Sequence, residues 1–268
     1  MYSIIGCGFI GNHFANLYPE CSIKVNSGDF SPKSKDIIYL RSTSTNYNIL
    51  TDPYIDIEVN LRYLIHTLTQ CDSSHTINFI SSWFIFGDQE ILPAKENAAA
   101  RPRGFYSITK KAAEDLLISY CRTKGINYRI IRLCNVIGEG DKASKQKNAL
   151  QYLIGELKAN RPVKLYNRGN FIRDYLHVED VCAGIKLIAE KGEKNEIYNL
   201  GSGNPYIFQH LINYCYNRLN SKSEVTSIEP PEFHAIVQVK DFYMDVSKVT
   251  ALGFKPKMDI FQSLEKVL

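Results

Sequence analysis

Short apolar runs alternate with amphipathic stretches through the first half of the chain, as strands and helices do when they follow one another. Tyr2 to Ile5 reads as a buried strand, and Ile10 to Leu17 as a helix ended by Pro19. Ser22 to Val25 is a second strand and Asp36 to Leu40 a third. A helix with Pro53 in its first turn runs to about Gln70, because proline is tolerated where the first helical N–H groups lack partners anyway. The strand Ile77 to Ile80, a helix from Tyr106 to Thr123 stopped by Gly125, and the strand Tyr128 to Ile131 continue the alternation. This order predicts an α/β fold, a doubly wound parallel sheet with helices on its faces. After Arg132 the texture changes. Glycine and lysine crowd Gly138 to Lys147, a helix follows to about Ala159, and strand-like pieces lie around Val163 to Tyr166. The helix Val178 to Glu190 leads into the strand Glu196 to Leu200, and the remainder, with Pro205, Pro230, Pro231 and Pro256, reads as short elements.

Composition narrows the class. At 268 residues and 30.6 kDa the chain holds one large domain or two intimate ones. Hydrophobic residues at 44% and charged residues at 22% exclude a disordered, collagen-like or coiled-coil chain. The net charge is only +4, and the densest basic group is Lys142, Lys145 and Lys147. Nucleic acid is therefore not an expected partner, since neutralising a phosphate backbone takes a concentrated basic face. Ile77 to Phe86, broken by Asn78, Ser81 and Ser82, is too short to span a bilayer, so no membrane is expected. Met1 to Ile5 runs straight into a glycine loop, which is unlike a secretory leader. Seven cysteines with no C-x-x-C spacing read as reduced thiols, and the expected location is the cytoplasm. Six scattered histidines predict no metal site.

Gly6-Cys7-Gly8-Phe9-Ile10-Gly11 stands between the first strand and first helix. In such a G-x-G-x-x-G the first glycine permits the turn, the second lets backbone approach a pyrophosphate, and the third lets helix pack on strand. A Rossmann-type dinucleotide site is expected. An acidic residue about 20 positions on would hold the ribose 2′-hydroxyl of NAD. Asn26 stands there instead, so a 2′-phosphate meets no repulsion, and Asn26, Ser27, Lys33, Lys35 or Arg41 offers donors to it. Asp29 is the one nearby carboxylate that a loop movement would bring to the ribose.

Tyr106 and Lys110 lie at i and i+4, one turn apart on one helix face. An ammonium beside a phenol favours the phenolate and predicts a lowered tyrosine pKa suited to proton transfer. Ser81 and Ser82 end the strand at Ile80, at the carboxyl edge where open α/β sheets bind ligands.

These motifs together resemble the extended short-chain dehydrogenase/reductase family of nucleotide-sugar epimerases, dehydratases and reductases. Phe79-Ile80-Ser81-Ser82 followed by Phe86-Gly87-Asp88 is similar to the family's serine strand, with Ser82 in the catalytic register. Arg132-Leu133-Cys134-Asn135-Val136-Ile137-Gly138 resembles the segment whose asparagine touches the sugar nucleotide. Arg173 to Asp180 resembles the stretch whose arginine clamps the diphosphate, a task suited to a planar bidentate donor. Ile197 to Gly201 and Asp245 to Lys248 match later scaffold landmarks. The resemblance implies Ser82, Tyr106 and Lys110 as catalytic. Taken with the residue reading above, Gly6, Gly8, Phe9, Ile10, Gly11, Asn26, Ser27, Arg41, Ser42, Asn60 and Ser81, with Tyr106 and Lys110, are expected to bind the cofactor, and Ser82, Trp83, Asn135, Arg173 and Lys240 the substrate. A late diphosphate arginine has no counterpart, and His234 or Lys240 is its nearest stand-in.

The chain also departs from the family. Roughly ten residues separate Val25 from Asp36, where the family has room for a helix, a strand and a further helix around the adenine, so an abbreviated adenine side is expected. Arg41-Ser42-Thr43 stands where the family carries small alanines, and Trp83 and Phe84 where its dehydratases carry acidic side chains. Residues 1–133 with 174–201 are expected to form the dinucleotide-binding domain, and 134–173 with 202–268 a smaller C-terminal substrate-binding region. The function expected is NAD(P)H-dependent reduction of an NDP-4-keto-6-deoxyhexose, with NADPH slightly favoured over NADH. C4 epimerisation of a UDP-sugar with NAD is the alternative, and a non-catalytic nucleotide-binding relative a remote one. A nucleotide-diphosphate sugar and a second copy of the chain are the expected partners.

Overall fold

The computed structural model describes residues 1–268. Its centre is a parallel sheet of six strands in the order β10-β5-β4-β3-β1-β2, made by β1 (Tyr2–Ile5), β2 (Ser22–Val25), β3 (Asp36–Tyr39), β4 (Thr76–Ser82), β5 (Asn127–Leu133) and β10 (Glu196–Leu200). Alternate residues point to opposite faces, as the pleat requires. Ile4 and Ile38 pack on one face with Phe14 of α1 (Phe9–Leu17) and with Val181, Ile185 and Ile188 of α6 (Val178–Lys191). Ile5, Ile37, Ile77 and Phe79 pack on the other with Leu64, Leu68 and Leu117, on α3 (Tyr63–Leu68) and α4 (Phe105–Lys124). Each fully buried aliphatic side chain contributes roughly 1.5–3 kcal/mol. The strand order turns back between β1 and β3, and that crevice opens beyond the carboxyl ends of the strands.

A third core cluster lies under the C-terminal region, where α5 (Ala149–Lys158) and α7 (Phe208–Arg218) meet. Three small pairs complete it: β6 (Asn135–Ile137) with β9 (Tyr175–His177), β7 (Val163–Tyr166) with β12 (Val225–Ile228), and β8 (Ile172–Arg173) with β11 (Tyr206–Ile207).

Two elements differ from the sequence reading. The helix expected from Pro53 to Gln70 is Tyr54–Ile57 and Tyr63–Leu68 joined by a wide turn, Glu58–Arg62, closed from Tyr63 N–H to the Glu58 carbonyl. The tail expected as short pieces contains an 11-residue helix, Phe208–Arg218, whose buried Phe208, Leu211, Ile212 and Cys215 have helical spacing. The adenine side is abbreviated as expected. Residues 26–35 hold neither helix nor strand, and the Lys33 and Ser34 backbone N–H groups both donate to Ser3 Oγ at 2.7 Å.

Candidate active site

Glycine is required at two points of the first loop by the protein's own packing. Gly6 has φ +99°, and a Cβ on it would lie 2.4 Å from the Arg41 nitrogen; one on Gly11 would lie 2.5 Å from the Gly6 carbonyl oxygen. Gly8 is different. Nothing lies within 4 Å of where its Cβ would be, and it faces a cavity of about 600 Å³. The α1 N-terminus beside it has no side-chain cap, so its N–H groups stay open to an anion. The bare Gly8 surface and the uncapped N-terminus fit a dinucleotide pyrophosphate lying along this loop, and the unpartnered, buried Ser81 Oγ lines the same cavity farther along.

Gly6, Gly8, Phe9, Ile10, Gly11, Ser27, Arg41, Ser42, Ser81, Ser82, Tyr106 and Lys110 all line this cavity. Asn26 and Asn60, expected on the cofactor, do not. Asn26 is exposed, and its backbone carbonyl receives Arg41 Nη2 at 3.4 Å. Asn60 is buried in the wide helical turn and bonds Ser42, Thr43 and Thr109. Arg41 is buried too. Its Nη2 also reaches the Ser27 carbonyl at 2.8 Å, its guanidinium lies 5.0 Å from the Phe30 ring centre, and its Nη1 has no partner. Asp29 is held by Lys33 at 2.7 Å and by the Ser31 N–H at 2.8 Å, so the loop presents no free carboxylate to a ribose.

Tyr106 and Lys110 project from the first turns of α4 toward the end of β4. A buried ion pair fixes that helix to the sheet: Arg132 of β5 donates to both oxygens of Glu114, at 3.1 and 2.9 Å. Lys110 Nζ donates to the Ile80 carbonyl at 2.7 Å and lies 4.3 Å from the Phe79 ring centre. Burial pushes its pKa down to about 7. The expectation of a lowered Tyr106 pKa is corrected here. Burial, the dominant influence, raises it, because the phenol is enclosed and Lys110 is engaged with a carbonyl. Ser82 and Ser42 line the same cavity, and both act against the burial by lowering the phenol's pKa.

A second cavity, of about 620 Å³, joins the first at Trp83, Phe84, Asn135, Lys147 and Asn148. Trp83 is 3% exposed and stacks on Phe84 and Phe242, with ring centres 4.0 and 5.0 Å apart. Asn135 donates to the Asp174 carbonyl at 3.0 Å. Arg173 lies 5.1 Å from the Trp83 ring centre and 4.7 Å from that of Phe171, and donates only to the carbonyls of Ile172, Val239 and Lys240, at 2.6 to 2.7 Å. Burial lowers its pKa to about 10. A buried guanidinium with no carboxylate suits an anionic ligand. Lys240 lines the same cavity as an exposed side chain, beside Lys145 and Lys164.

Tyr47, Tyr166 and Asn148, which the sequence did not single out, line this cavity together with His234, the expected stand-in for a diphosphate arginine. Tyr47 hydroxyl lies 2.7 Å from His234 Nδ1, and the Tyr166 ring centre lies 4.5 Å from that of the imidazole. Burial first and then Arg173 push His234 down to about 4. Asn148, at φ +52°, caps α5 and donates to Asp141 at 2.8 Å, and Asp141 also pairs with Lys147 at 2.8 Å. An asparagine just before an apolar run was the available cue.

The sequence profile of the NAD dependent epimerase/dehydratase family matches residues 32–201. A Methanocaldococcus jannaschii protein provisionally named UDP-glucose 4-epimerase is 25% identical over 296 residues, covering 98% of this chain and 95% of that one. A GDP-6-deoxy-D-mannose reductase of Pseudomonas aeruginosa is 27% identical over 251 residues, covering 90% and 82%. The crystal structure of a Thermotoga maritima UDP-glucose 4-epimerase with UDP-glucose superposes with a TM-score of 0.88 at 21% identity, over 100% of this chain and 97% of that one. The chain belongs to the NAD dependent epimerase/dehydratase family, short-chain dehydrogenases/reductases that act on nucleotide sugars with a nicotinamide cofactor.

Proposed function

We propose that the protein is an NAD(P)H-dependent reductase of a nucleotide-activated keto sugar, an NDP-4-keto-6-deoxyhexose. The observation that carries this reading is the short adenine side: residues 26–35 add no element around the adenosine, and the only carboxylate there, Asp29, is occupied by Lys33. A reductase releases its oxidised cofactor at every turnover, which a sparse adenosine site favours. An epimerase keeps its reduced cofactor through a sugar rotation. The same lack of a free carboxylate, with Arg41 and Ser27 on the cavity wall, favours NADPH over NADH.

In this reading residues 1–133 with 174–201 hold the dinucleotide, and 134–173 with 202–268 the sugar nucleotide. Gly6, Gly8 and Gly11 seat the pyrophosphate, and Arg173 and Lys240 neutralise the diphosphate of the substrate. Nicotinamide, when bound, supplies a hydride for the keto carbon. Ser82 donates a hydrogen bond to the keto oxygen and Tyr106 gives it a proton, while Lys110 holds positive charge beneath them as the phenolate forms. Trp83 and Phe84, next to Ser82, have no acid or base of suitable pKa, so water elimination is not part of the cycle. Exposed Ile57, Ile65, Ile108 and Leu116, on the 54–68 helix and the α4 helix packed beside it, support a homodimer, and seven free thiols support a cytoplasmic setting.

The test incubates the protein with NADPH or NADH and a dehydratase-generated 4-keto-6-deoxy sugar nucleotide and follows the absorbance of the reduced cofactor. Stoichiometric consumption supports reduction. The Methanocaldococcus relative, matched nearly end to end, favours a second reading as a C4 epimerase. No consumption, with interconversion of UDP-glucose and UDP-galactose in the absence of added cofactor, gives the case to that reading.

A further inference from the structure

The helix that carries Tyr106 and Lys110 starts from a cap residue with no side chain. Gly104 has extended backbone, at φ −104° and ψ 161°, and its carbonyl accepts the first helical bond, from the Ile108 N–H at 2.9 Å. In a complete capping box the side chain at this position accepts the N–H three residues on, and the side chain there reaches back to the cap's own N–H. The helix itself supplies only the second half: the Gly104 N–H donates to Ser107 Oγ at 2.9 Å. The first half comes from 61 positions upstream, where Asn46 Oδ1 accepts the Ser107 N–H at 3.3 Å. A backbone N–H can only donate, so the Asn46 atom facing it is the amide oxygen. Asn46 is buried, and its Nδ2 has no partner. The bond to Ser107 is thus the whole polar business of this side chain.

Gly104 and Asn46 are matched in size. A Cβ on Gly104 would collide with the Asn46 amide, which fills the space that a local capping side chain needs. Extended backbone admits any residue, so conformation does not explain this glycine; the neighbour does. Asn46 is held in turn by the residues on either side of it. Thr45 Oγ1 accepts the Tyr47 N–H at 3.2 Å and donates to the Gln146 carbonyl at 3.0 Å, Tyr47 meets His234 at 2.7 Å on the wall of the second cavity, and the Asn48 amide reaches Asp56 at 3.1 Å.

An N-cap governs the first turn above all. Tyr106 is the second residue of α4 and Ser107 the third. Lys110 lies a turn deeper and is fixed independently by the Ile80 carbonyl at 2.7 Å. Losing the acceptor leaves the Ser107 N–H buried without a partner, and the turn that frays to relieve it carries the phenol, not the ammonium.

We propose that Asn46 is a positioning residue that caps α4 from outside the helix, through the Ser107 N–H, and so fixes where Tyr106 delivers its proton. The inference rests on the reading of Tyr106 as the acid. The glycine loop and Lys110 keep their places without Asn46, so cofactor affinity does not depend on it and proton delivery does.

The test moves the cap. Asn46→Gly removes the remote acceptor, and adding Gly104→Ser in the space so freed supplies a local one. Hydrogen exchange at the Ser107 amide, followed by NMR without substrate or cofactor, speeds up in Asn46→Gly and slows again in the double variant. With NADPH and a dehydratase-generated 4-keto-6-deoxy sugar nucleotide, Asn46→Gly lowers kcat by about ten- to a hundredfold, as an acid misplaced by about an ångström would, while KM and the Kd for NADPH stay put. The double variant recovers most of that loss. If Asn46→Gly fails to fold, Asn46→Leu, which keeps the bulk without the acceptor, is measured in its place. Unchanged exchange at Ser107 overturns the inference. So does a wild-type kcat despite faster exchange, a kcat loss that the double variant fails to recover once exchange is slow again, or a parallel loss of NADPH affinity. If the wild type consumes no reduced cofactor, the reductase reading falls and kcat is read on interconversion of UDP-glucose and UDP-galactose, where the same pattern is expected. A wild-type rate in Tyr106→Phe sinks the acid assignment, and the role of Asn46 with it, whatever the exchange at Ser107.

Discussion

Replacing Lys110 by methionine isolates the consequence of keeping an ammonium between α4 and the sheet. Burial holds Lys110 at about 7, against an ordinary 10.5. Between those values the unfolded chain binds a proton that the folded chain does not, so the stability of the wild type rises with pH, by up to about 1.4 kcal/mol per pH unit. Methionine binds no proton in either state. The stability difference in favour of K110M is therefore largest at and below pH 7 and shrinks as pH climbs toward 10, by about 4 kcal/mol at most and by roughly half that if the site relaxes. The substitution also deletes the 2.7 Å bond to the Ile80 carbonyl and the contact with Phe79, but these losses do not vary with pH. Urea unfolding of both proteins at closely spaced pH values between about 7 and 9.5 measures the slope. A difference that stays flat over that range would refute the reasoning and mean that Lys110 reaches water.

Tyr106→Phe removes the acid and lowers turnover by roughly two to four orders of magnitude while nucleotide binding, followed by calorimetry, survives. Glu114→Ala leaves the Arg132 guanidinium buried without its carboxylate and costs about 3–5 kcal/mol in chemical denaturation, whereas truncating the exposed partner in the Arg101–Glu90 pair costs well under 1 kcal/mol. His234, held at about 4 against an ordinary 6.5, favours the folded state when neutral, and this contribution is complete above pH 6.5 and lost as pH falls toward 4. The wild type thus loses thermal stability between pH 6.5 and 5 more steeply than His234→Gln, as thermal melts across that window would show.

The features legible in the sequence were those written in local spacing. The glycine loop, the strands of the sheet, and the Tyr106–Lys110 helix with its Gly125 stop all follow from residues within a few positions of each other. The missing adenine-side elements were equally plain, because ten residues cannot hold them. The seven-residue burial of β4 lay beyond its shorter apolar run, since Thr76, Ser81 and Ser82 are buried by neighbours far along the chain. Local spacing also misled. One helical turn between Tyr106 and Lys110 suggested an ammonium acting on a phenol, but the depth at which both lie sets their protonation more strongly than their separation. The bonds among Ser42, Thr43, Asn60 and Asp56 had no signature, because they join residues 13 to 18 positions apart through groups of ordinary type. His234 meets Tyr47 across 187 positions, a contact no pattern announces.

The loss of structure between β2 and β3 leaves β2 as the outermost strand on that side, with one row of backbone groups facing away from the sheet. Such an edge is a template for pairing with other chains. Here it is only four residues long, and exposed Lys24, tied to Asn12 Oδ1 at 3.0 Å, sits in it. A stranger that tried to add a strand would form very few bonds and would have to bury an ammonium. The short connection beside the cofactor site thus leaves no adhesive edge, and the same border is a place where an added strand would disturb the core little.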